Sequence, residues 1–248
     1  MILRLPAALV LMAAMIAAAP RGRFQRSDWS APIPLPRGSM LVVGFLGAWE
    51  RWDDDRRSVR RLALRLRGRN VPNLYVVTAG NHDRRLVRGL LIESLDQNGD
   101  GRISADEASS VALVIYGQSF GGAAAVYLAR DLARYGVPVR LTVQVDSVGR
   151  RDHLIPANVS RALNLYQRDP GPIRGEPAIR ADDPSRTIIL GNIRFTYRHR
   201  QVDMSGYPPI ARRIGLAHWK MDNDPAVWAV VEAAILAEIS LWQSSASQ

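Results

Sequence analysis

The feature that most constrains the fold of this sequence is a regular alternation of apolar runs and amphipathic segments after residue 40. Residues 40–45, 74–78, 111–116 and 141–145 are apolar, as strands buried on both faces are, with weaker candidates at 162–166 and 187–190. Helical periodicity marks residues 53–67, 84–95, 123–134 and 224–242. This alternation predicts an α/β fold, with a mostly parallel sheet covered by helices on both faces.

Composition excludes several other classes of protein. The 248 residues include no cysteine, which excludes a disulfide scaffold, a zinc–thiolate site, an iron–sulfur cluster and a thiol nucleophile. The net charge of +10 comes almost wholly from arginine, since Lys220 is the only lysine among 33 basic residues. No reading motif or stacking aromatic cluster accompanies this charge, so we expect no nucleic-acid partner.

The N-terminus has the character of a targeting segment. Arg4 precedes an apolar run from residue 5 to residue 19 that ends in alanines, which predicts a signal peptide or N-terminal anchor over 1–19. A buried N-terminal helix is the alternative. We therefore expect an exported protein, periplasmic or secreted, with membrane association through this segment left open. Residues 20–39 contain four prolines and read as a linker to a domain over 40–248.

The strongest catalytic motif follows the third apolar run. Residues 117–121 read Gly-Gln-Ser-Phe-Gly, which matches G-x-S-x-G between a predicted strand and a predicted helix. In that context the central Ser119 sits on a tight turn with its hydroxyl above the sheet, near the free N–H groups of a helix N-terminus. Ser119 is therefore the candidate nucleophile.

A serine nucleophile needs a base and an orienting carboxylate. His218, just before the last helix, is the preferred base, and the rival histidines are His82, His153 and His199. Asp146 is the preferred acid because it ends the strand after the nucleophile, where reactive groups collect. The rival acids are Asp169, Asp182, Asp183 and Asp203.

The motif at 117–122, the chain order Ser119, Asp146, His218 and the strand LVVGFLG together resemble the α/β-hydrolase fold. An acid one strand after the nucleophile is similar to the lipase branch of that fold. The resemblance implies an oxyanion hole formed by the backbone N–H groups of Phe45 (or Leu46) and Phe120. Lipases usually carry a His-Gly pair after this strand, where the present sequence has Val43-Gly44.

A second motif is inserted before the nucleophile strand. Residues 96–107 read DQNGDGRISADE and fit the loop pattern D-x-[DN]-x-[DN]-G-x₅-E at every fixed position. The pattern resembles an EF-hand loop and predicts one structural Ca²⁺ site. The expected ligands are Asp96, Asn98, Asp100, the carbonyl of Arg102, Ser104 and Glu107.

The combined interpretation is an exported serine hydrolase that cleaves a carboxylic ester or thioester through an acyl-enzyme, with structural calcium. The alternative is a non-catalytic calcium-binding or scaffold protein on a degenerate hydrolase fold. The expected partner is a small or lipid-like ester. The natural substrate, the acyl length and the oligomeric state are left open.

Overall fold

The computed structural model describes residues 22–48, 50–214 and 216–246. The segment predicted as a signal or anchor, 1–19, lies outside the described residues. The strands are β1 (Met40–Leu46), β2 (Leu74–Gly80), β3 (Ala112–Gln118), β4 (Val139–Val145), β5 (Leu154–Ile155), β6 (Val159–Gln167), β7 (Arg180–Ala181) and β8 (Ile188–Phe195). The helices are α1 (Ser58–Gly68), α2 (Arg84–Leu95), α3 (Ala105–Ser109), α4 (Phe120–Ala133), α5 (Pro209–Ile214), α6 (Ala217–Asn223) and α7 (Pro225–Ala246).

Six strands form one sheet in the order β2-β1-β3-β4-β6-β8, and each neighbouring pair is parallel. Apolar clusters cover both faces of this sheet. Helices α2 and α4 pack on one face through residues such as Val87 and Leu128, and α1 and α7 pack on the other through Leu62 and Val231. The predicted α/β fold class, a parallel sheet with helices on both faces, is confirmed.

The described part of the segment predicted as a linker, residues 22–39, packs onto the domain. Phe24, Trp29 and Leu35 are buried in the same apolar cluster as α2 and α4. The Leu35 N–H donates to the Ser94 carbonyl over 2.8 Å, and Trp29 Nε1 donates to Ser94 Oγ over 3.2 Å. The prolines keep this segment extended, but its few large apolar side chains suffice to bury it against the sheet layer.

Two predicted boundaries are corrected by local hydrogen bonds. Helix α1 begins at Ser58 and not at residue 53, because the Asp54 carboxylate accepts from the Arg56 N–H and its carbonyl accepts from the Arg57 N–H in a separate turn. The weak strand candidates are longer than predicted. They form β6 and β8 and extend the sheet beyond β4.

The last helix, α7, follows the helix that carries His218 and covers one face of the sheet. Within it, Pro225–Ser245 is long and apolar enough to cross a membrane by length and composition, with 33% of the most apolar window buried. Val227, Val231, Ile235 and Ile239 pack into the core beneath it. The core helix of a globular domain meets the same criterion, so this helix gives little indication of a membrane span.

Candidate active site

Ser119 occupies a strained turn between β3 and α4. Its backbone has φ 57° and ψ −126°, a left-handed conformation that is costly for a residue with a Cβ. The Ser119 N–H donates to the Val145 carbonyl, and its own carbonyl accepts from the Gly122 and Val148 N–H groups. These bonds from the next strand and its loop hold the serine in that conformation.

The glycines that flank Ser119 are required by close backbone approach. A Cβ at Gly121 would lie 2.0 Å from the Phe45 carbonyl oxygen, and a Cβ at Gly117 would lie 2.3 Å from the Gly121 carbonyl oxygen. Neither contact is possible for a real side chain, so any larger residue must move the backbone of β1 or α4. The G-x-S-x-G pattern therefore has a direct steric cause in this fold.

His218, at the start of α6, lies against the serine. Its Nε2 is 3.0 Å from Ser119 Oγ and 3.4 Å from Gln118 Nε2. The side chain is buried, with 5% of its surface exposed, whereas His82 and His199 are exposed and His153 is half-buried. Of the four histidines, all of which are described, His218 is the one that contacts Ser119.

Asp146 completes the arrangement at the end of β4. Its Oδ2 lies 2.6 Å from His218 Nδ1 and accepts from Gln167 Nε2 over 2.9 Å. Its Oδ1 accepts from the N–H groups of Gln167, over 3.1 Å, and Gly175, over 2.9 Å. The Asp146 side chain is fully buried. Its two oxygens, which can only accept hydrogen bonds when ionised, are surrounded by four nitrogen atoms from His218, Gln167 and Gly175.

The rival acids occupy other places. Asp169 accepts from the Tyr197 N–H, and Asp183 and Asp203 accept from Ser185 and Ser205 in local turns. Asp182 is exposed. The structure thus brings together Ser119, His218 and Asp146 from three separate segments. Sequence reasoning missed Gln167 and Gly175, which donate hydrogen bonds to Asp146, because no motif marks the end of β6 or the loop after it.

No family model matches this chain, and no curated relative matches it. Among solved structures, the chain is similar to a cutinase-like protein from Cryptococcus sp., at 14% identity and a TM-score of 0.29. The match covers 48% of this chain and 60% of the cutinase-like chain, so this chain spans less than two thirds of that protein's length. The chain is also similar to the RedJ thioesterase of the prodiginine pathway in Streptomyces coelicolor, at 13% identity and TM-score 0.39 over 85% and 99% of the two chains. A RedJ structure with polyethylene glycol in its active site matches at 14% identity and TM-score 0.38 over 83% and 99%. Similarity this low assigns neither a family nor an activity.

The loop that follows β1, beginning at Gly47, also lies close to Ser119. Phe45 is paired within the sheet to Ala79 and to Gly117, so its backbone polar groups belong to the strand ladder, while Leu46 is paired to Gly80 at the strand end. A Cβ at Gly47 would lie 3.1 Å from Ser119 Cβ. This loop therefore comes close to the serine at Gly47, two residues beyond Phe45.

Two side chains hold that loop. The Gly47 N–H donates to Glu50 Oε2 over 3.0 Å, and the Asn81 side-chain amide donates to the Ala48 carbonyl. Ala48 has φ 34°, a left-handed value. Phe120, on the opposite side, opens α4, where first-turn N–H groups have no acceptor within the helix.

Glu50 belongs to a buried charged group beside the site. Its Oε1 is 3.1 Å from Arg57 Nε, Arg57 Nη1 is 3.8 Å from Asp222 Oδ2, and the Tyr207 hydroxyl donates to Asp222 Oδ2 over 2.9 Å. Burial raises the pKa of Glu50 to about 7 against the opposing effect of Arg57. Burial also raises the pKa of Tyr207 well above its usual value. No sequence motif marked this group.

The loop at 96–107 turns at two glycines and is held by its own acidic and amide side chains. Gly99 and Gly101 take φ 73° and φ 77°, and Asp96 accepts from the N–H groups of Gly99, Asp100 and Gly101. Asn98 accepts from the Asp100 N–H, and Asp100 from the Arg102 N–H. The helix before the loop is α2, and the helix after it, α3, has only five residues.

Both carboxylate oxygens of Glu107 are engaged in hydrogen bonds within the loop and do not face the other acidic side chains. Its Oε1 accepts from the Gln97 and Asn98 N–H groups, and its Oε2 accepts from the N–H and hydroxyl of Ser104. The Ser104 N–H and hydroxyl, with the Gln97 and Asn98 N–H groups, lower the pKa of Glu107 to about 2. A rotation of this side chain is needed to bring its oxygens to the other carboxylates of the loop.

Proposed function

We propose that this chain is a serine hydrolase that cleaves a carboxylic ester or thioester by acyl transfer. The observation that supports it most is the continuous contact from Ser119 Oγ through His218 to Asp146, at 3.0 Å and 2.6 Å. Such an arrangement supplies a nucleophile, a general base and a group that fixes the imidazole tautomer. The strained backbone of Ser119 adds support, because strain of this kind concentrates at functional sites.

In the proposed reaction, Ser119 Oγ attacks the acyl carbon and its proton passes to His218 Nε2. The C–O or C–S bond to the leaving group then breaks, and His218 returns the proton to the departing alcohol or thiol. In the second half, water attacks the acyl carbon and gives a proton to His218, the bond to Ser119 Oγ breaks, and His218 returns the proton to Oγ as the carboxylic acid leaves. Asp146 stays ionised and holds the imidazolium that forms in each half.

The negative oxygen of each tetrahedral intermediate needs two donors. We assign the Phe120 N–H as one, since it opens α4 beside the nucleophile. For the second we assign the Ala48 N–H in place of Phe45 or Leu46, because Phe45 and Leu46 are paired within the sheet and the Gly47 N–H is taken by Glu50. Asn81 and Glu50 would then be positioning residues for this loop.

The proposed activity is tested by hydrolysis of p-nitrophenyl esters and acyl thioesters of rising chain length. Ester or thioester turnover that disappears in Ser119→Ala supports the proposal, and the chain-length profile would define the acyl group. A wild-type protein that hydrolyses none of these substrates and carries no reactive serine would favour the alternative of a non-catalytic scaffold.

We further propose that residues 96–107 bind one structural Ca²⁺. The conformation of Gly99 and Gly101 and the oxygens of Asp96, Asn98 and Asp100 fit the ion, and Glu107 would supply two oxygens after its carboxylate turns. The Arg102 carbonyl and Ser104 would complete the set. Bound calcium would fix the segment that leads into β3, and it would take no part in the acyl transfer.

Export remains a proposal that rests on the sequence of residues 1–19. The apolar run after Arg4 has the length and the small-residue end of a secretory signal. Fusion of a reporter that is active only outside the cytoplasm tests export. N-terminal sequencing of the mature protein would distinguish cleavage from retention as an anchor.

A further inference from the structure

Three potential metal ligands converge outside the site described above. One side-chain ligand atom each from Asp152, His153 and Glu176 lies within 4.8 Å of the other two, and His153 Nδ1 is 3.8 Å from Glu176 Oε2. Asp152 and His153 lie between β4 and β5, and Glu176 lies between β6 and β7. Asp152 is 1% exposed, whereas the other two side chains are half-buried and reachable from solvent.

Asp152 is incompletely satisfied where it is buried. Its Oδ2 accepts from Ser147 Oγ over 2.5 Å, but its Oδ1 has no hydrogen-bond partner among the described residues. A buried carboxylate with one neutral donor carries a large desolvation penalty unless a cation or further donors compensate it. A cation beside Asp152 would supply the partner that this oxygen lacks among the described residues.

Two buried amide oxygens close by are in the same condition. Gln144 Oε1 and Asn164 Oδ1 have no partner among the described residues, and the two side chains are in register across β4 and β6. Gln144 Nε2 donates to the Asp152 carbonyl over 3.0 Å, and Asn164 Nδ2 donates to the Glu176 carbonyl over 2.8 Å. If either side-chain amide were rotated by 180°, its oxygen would face the backbone carbonyl oxygen that its nitrogen now bonds. The orientation of both amides is therefore fixed. Around Asp152, His153 and Glu176 there are thus more buried hydrogen-bond acceptors than donors to pair with them.

We infer that Asp152, His153 and Glu176 bind a divalent transition-metal cation of the Zn²⁺ type. A mixed set of two carboxylates and one imidazole suits such ions, whereas Ca²⁺ prefers oxygen ligands alone. Metal–ligand distances of about 2.0–2.2 Å require the three ligand atoms to approach one another by roughly an ångström, which side-chain rotation supplies. The charge of the cation would also compensate the buried carboxylate of Asp152.

Such an ion would join two loops that support the proposed acid. The Glu176 N–H donates to the Ser147 carbonyl over 2.9 Å, and the preceding Gly175 N–H donates to Asp146 Oδ1 over 2.9 Å. A cation bound between Glu176 and Asp152 would keep these adjacent segments together. This effect on Asp146 rests on the proposed function, but the binding of the metal does not.

The test measures Zn²⁺ binding to the full chain by equilibrium dialysis, in a Glu107→Gln background that disables the loop at 96–107. One Zn²⁺ per chain is expected, with binding at least tenfold weaker in His153→Ala and in Glu176→Gln. His82→Ala is the matched control, because His82 Nε2 also lies near a carboxylate, 3.4 Å from Asp83 Oδ2, but outside the cluster. This control should bind Zn²⁺ as the parent does.

Two further measurements test the same three ligands. Saturating Zn²⁺ should raise the melting temperature of the parent by about 5–10 °C and leave that of His153→Ala unchanged. Co²⁺ should give ligand-field absorption bands in the parent that His153→Ala lacks. Zn²⁺ binding that is absent, or equal in His153→Ala and the parent, would overturn the inference. Ser119→Ala should bind Zn²⁺ normally, so failure of the hydrolase proposal would be separately visible.

Discussion

The Gly175 N–H donates to Asp146 Oδ1 over 2.9 Å, and a Cβ at position 175 would lie 2.2 Å from that same oxygen. The loop after β6 thus reaches the proposed acid by its backbone alone. The contact needs glycine for its space, and it makes the position of the carboxylate depend on a segment that carries no recognisable motif.

Gly175→Ala should therefore lower catalytic turnover by displacing Asp146 or the loop. We expect a loss of about 10–100-fold in kcat, since a displacement of about an ångström in supporting groups has effects of this size. Gly171→Ala is the matched control, because a Cβ there meets nothing nearer than 3.8 Å. Ester hydrolysis by the two purified variants checks this, and equal activities would show that the Gly175 contact does not matter.

The choice of acid is tested by Asp146→Asn and Asp169→Asn. An amide at position 146 would turn an NH₂ group toward donors, because the carboxylate accepts from four of them, and it would no longer stabilise the correct histidine tautomer. We expect kcat to fall about 10³–10⁴-fold. Asp169→Asn should retain most of the activity, since Asp169 accepts from the Tyr197 N–H away from His218. The reverse order of losses would move the acid to Asp169.

Glu50 should make the stability of the fold depend on pH. Its pKa of about 7 in the folded protein exceeds the ordinary value of 4.5, so the folded state holds this proton more tightly than the unfolded chain. The free energy of unfolding should then fall as pH rises from 4.5 to 7, by at most about 3 kcal/mol from this group.

Urea denaturation of wild type and Glu50→Gln between pH 4.5 and pH 8 measures this dependence. Glu50→Gln cannot ionise at position 50, so its free energy of unfolding should fall less steeply with pH than that of the wild type. Glu93→Gln, which removes an exposed carboxylate paired with Arg26, should keep the wild-type slope. An unchanged pH profile in Glu50→Gln would contradict the assignment.

Calcium should stabilise the folded chain through the loop at 96–107. An ion at a hundredfold excess over its Kd contributes about 2.7 kcal/mol, which corresponds to roughly 5–10 °C in melting temperature for a chain of this length. Glu107→Gln should abolish the calcium-dependent shift. Asp106→Asn, at an exposed neighbour that pairs with Arg37, should keep it. Melting curves that respond to neither chelator nor added calcium would show that the loop binds no ion.

The sequence predicted what local patterns determine. Runs buried on both faces marked the strands, helical periodicity marked α2 to within a residue, and G-x-S-x-G marked the turn at Ser119 because steric crowding at Gly117 and Gly121 demands that pattern. Chain order and strand ends were enough to select His218 and Asp146, which lie in contact in the structure.

What the sequence could not predict depends on contacts between distant segments. Phe24 and Leu35 looked like parts of a linker, since burial of a few large side chains leaves no periodic signal. Glu50, Gln167 and Gly175 belong to no motif, and only the packing of the loop after β1, the end of β6 and the loop after β6 brings them to the site. The position of the loop after β1 likewise depends on Glu50 and Asn81, which bond to its backbone groups.

The central claim is that Ser119 is a nucleophile activated by His218. A fluorophosphonate probe, followed by intact mass and peptide mapping, tests this most directly, because it reacts only with an activated serine. We expect one adduct per wild-type chain, located on Ser119, no adduct in Ser119→Ala, and labelling slowed by at least about 10³-fold in His218→Ala. His199→Ala, at an exposed histidine, should label as wild type does. No labelling of folded wild-type protein, or equal labelling of His218→Ala, would contradict the account.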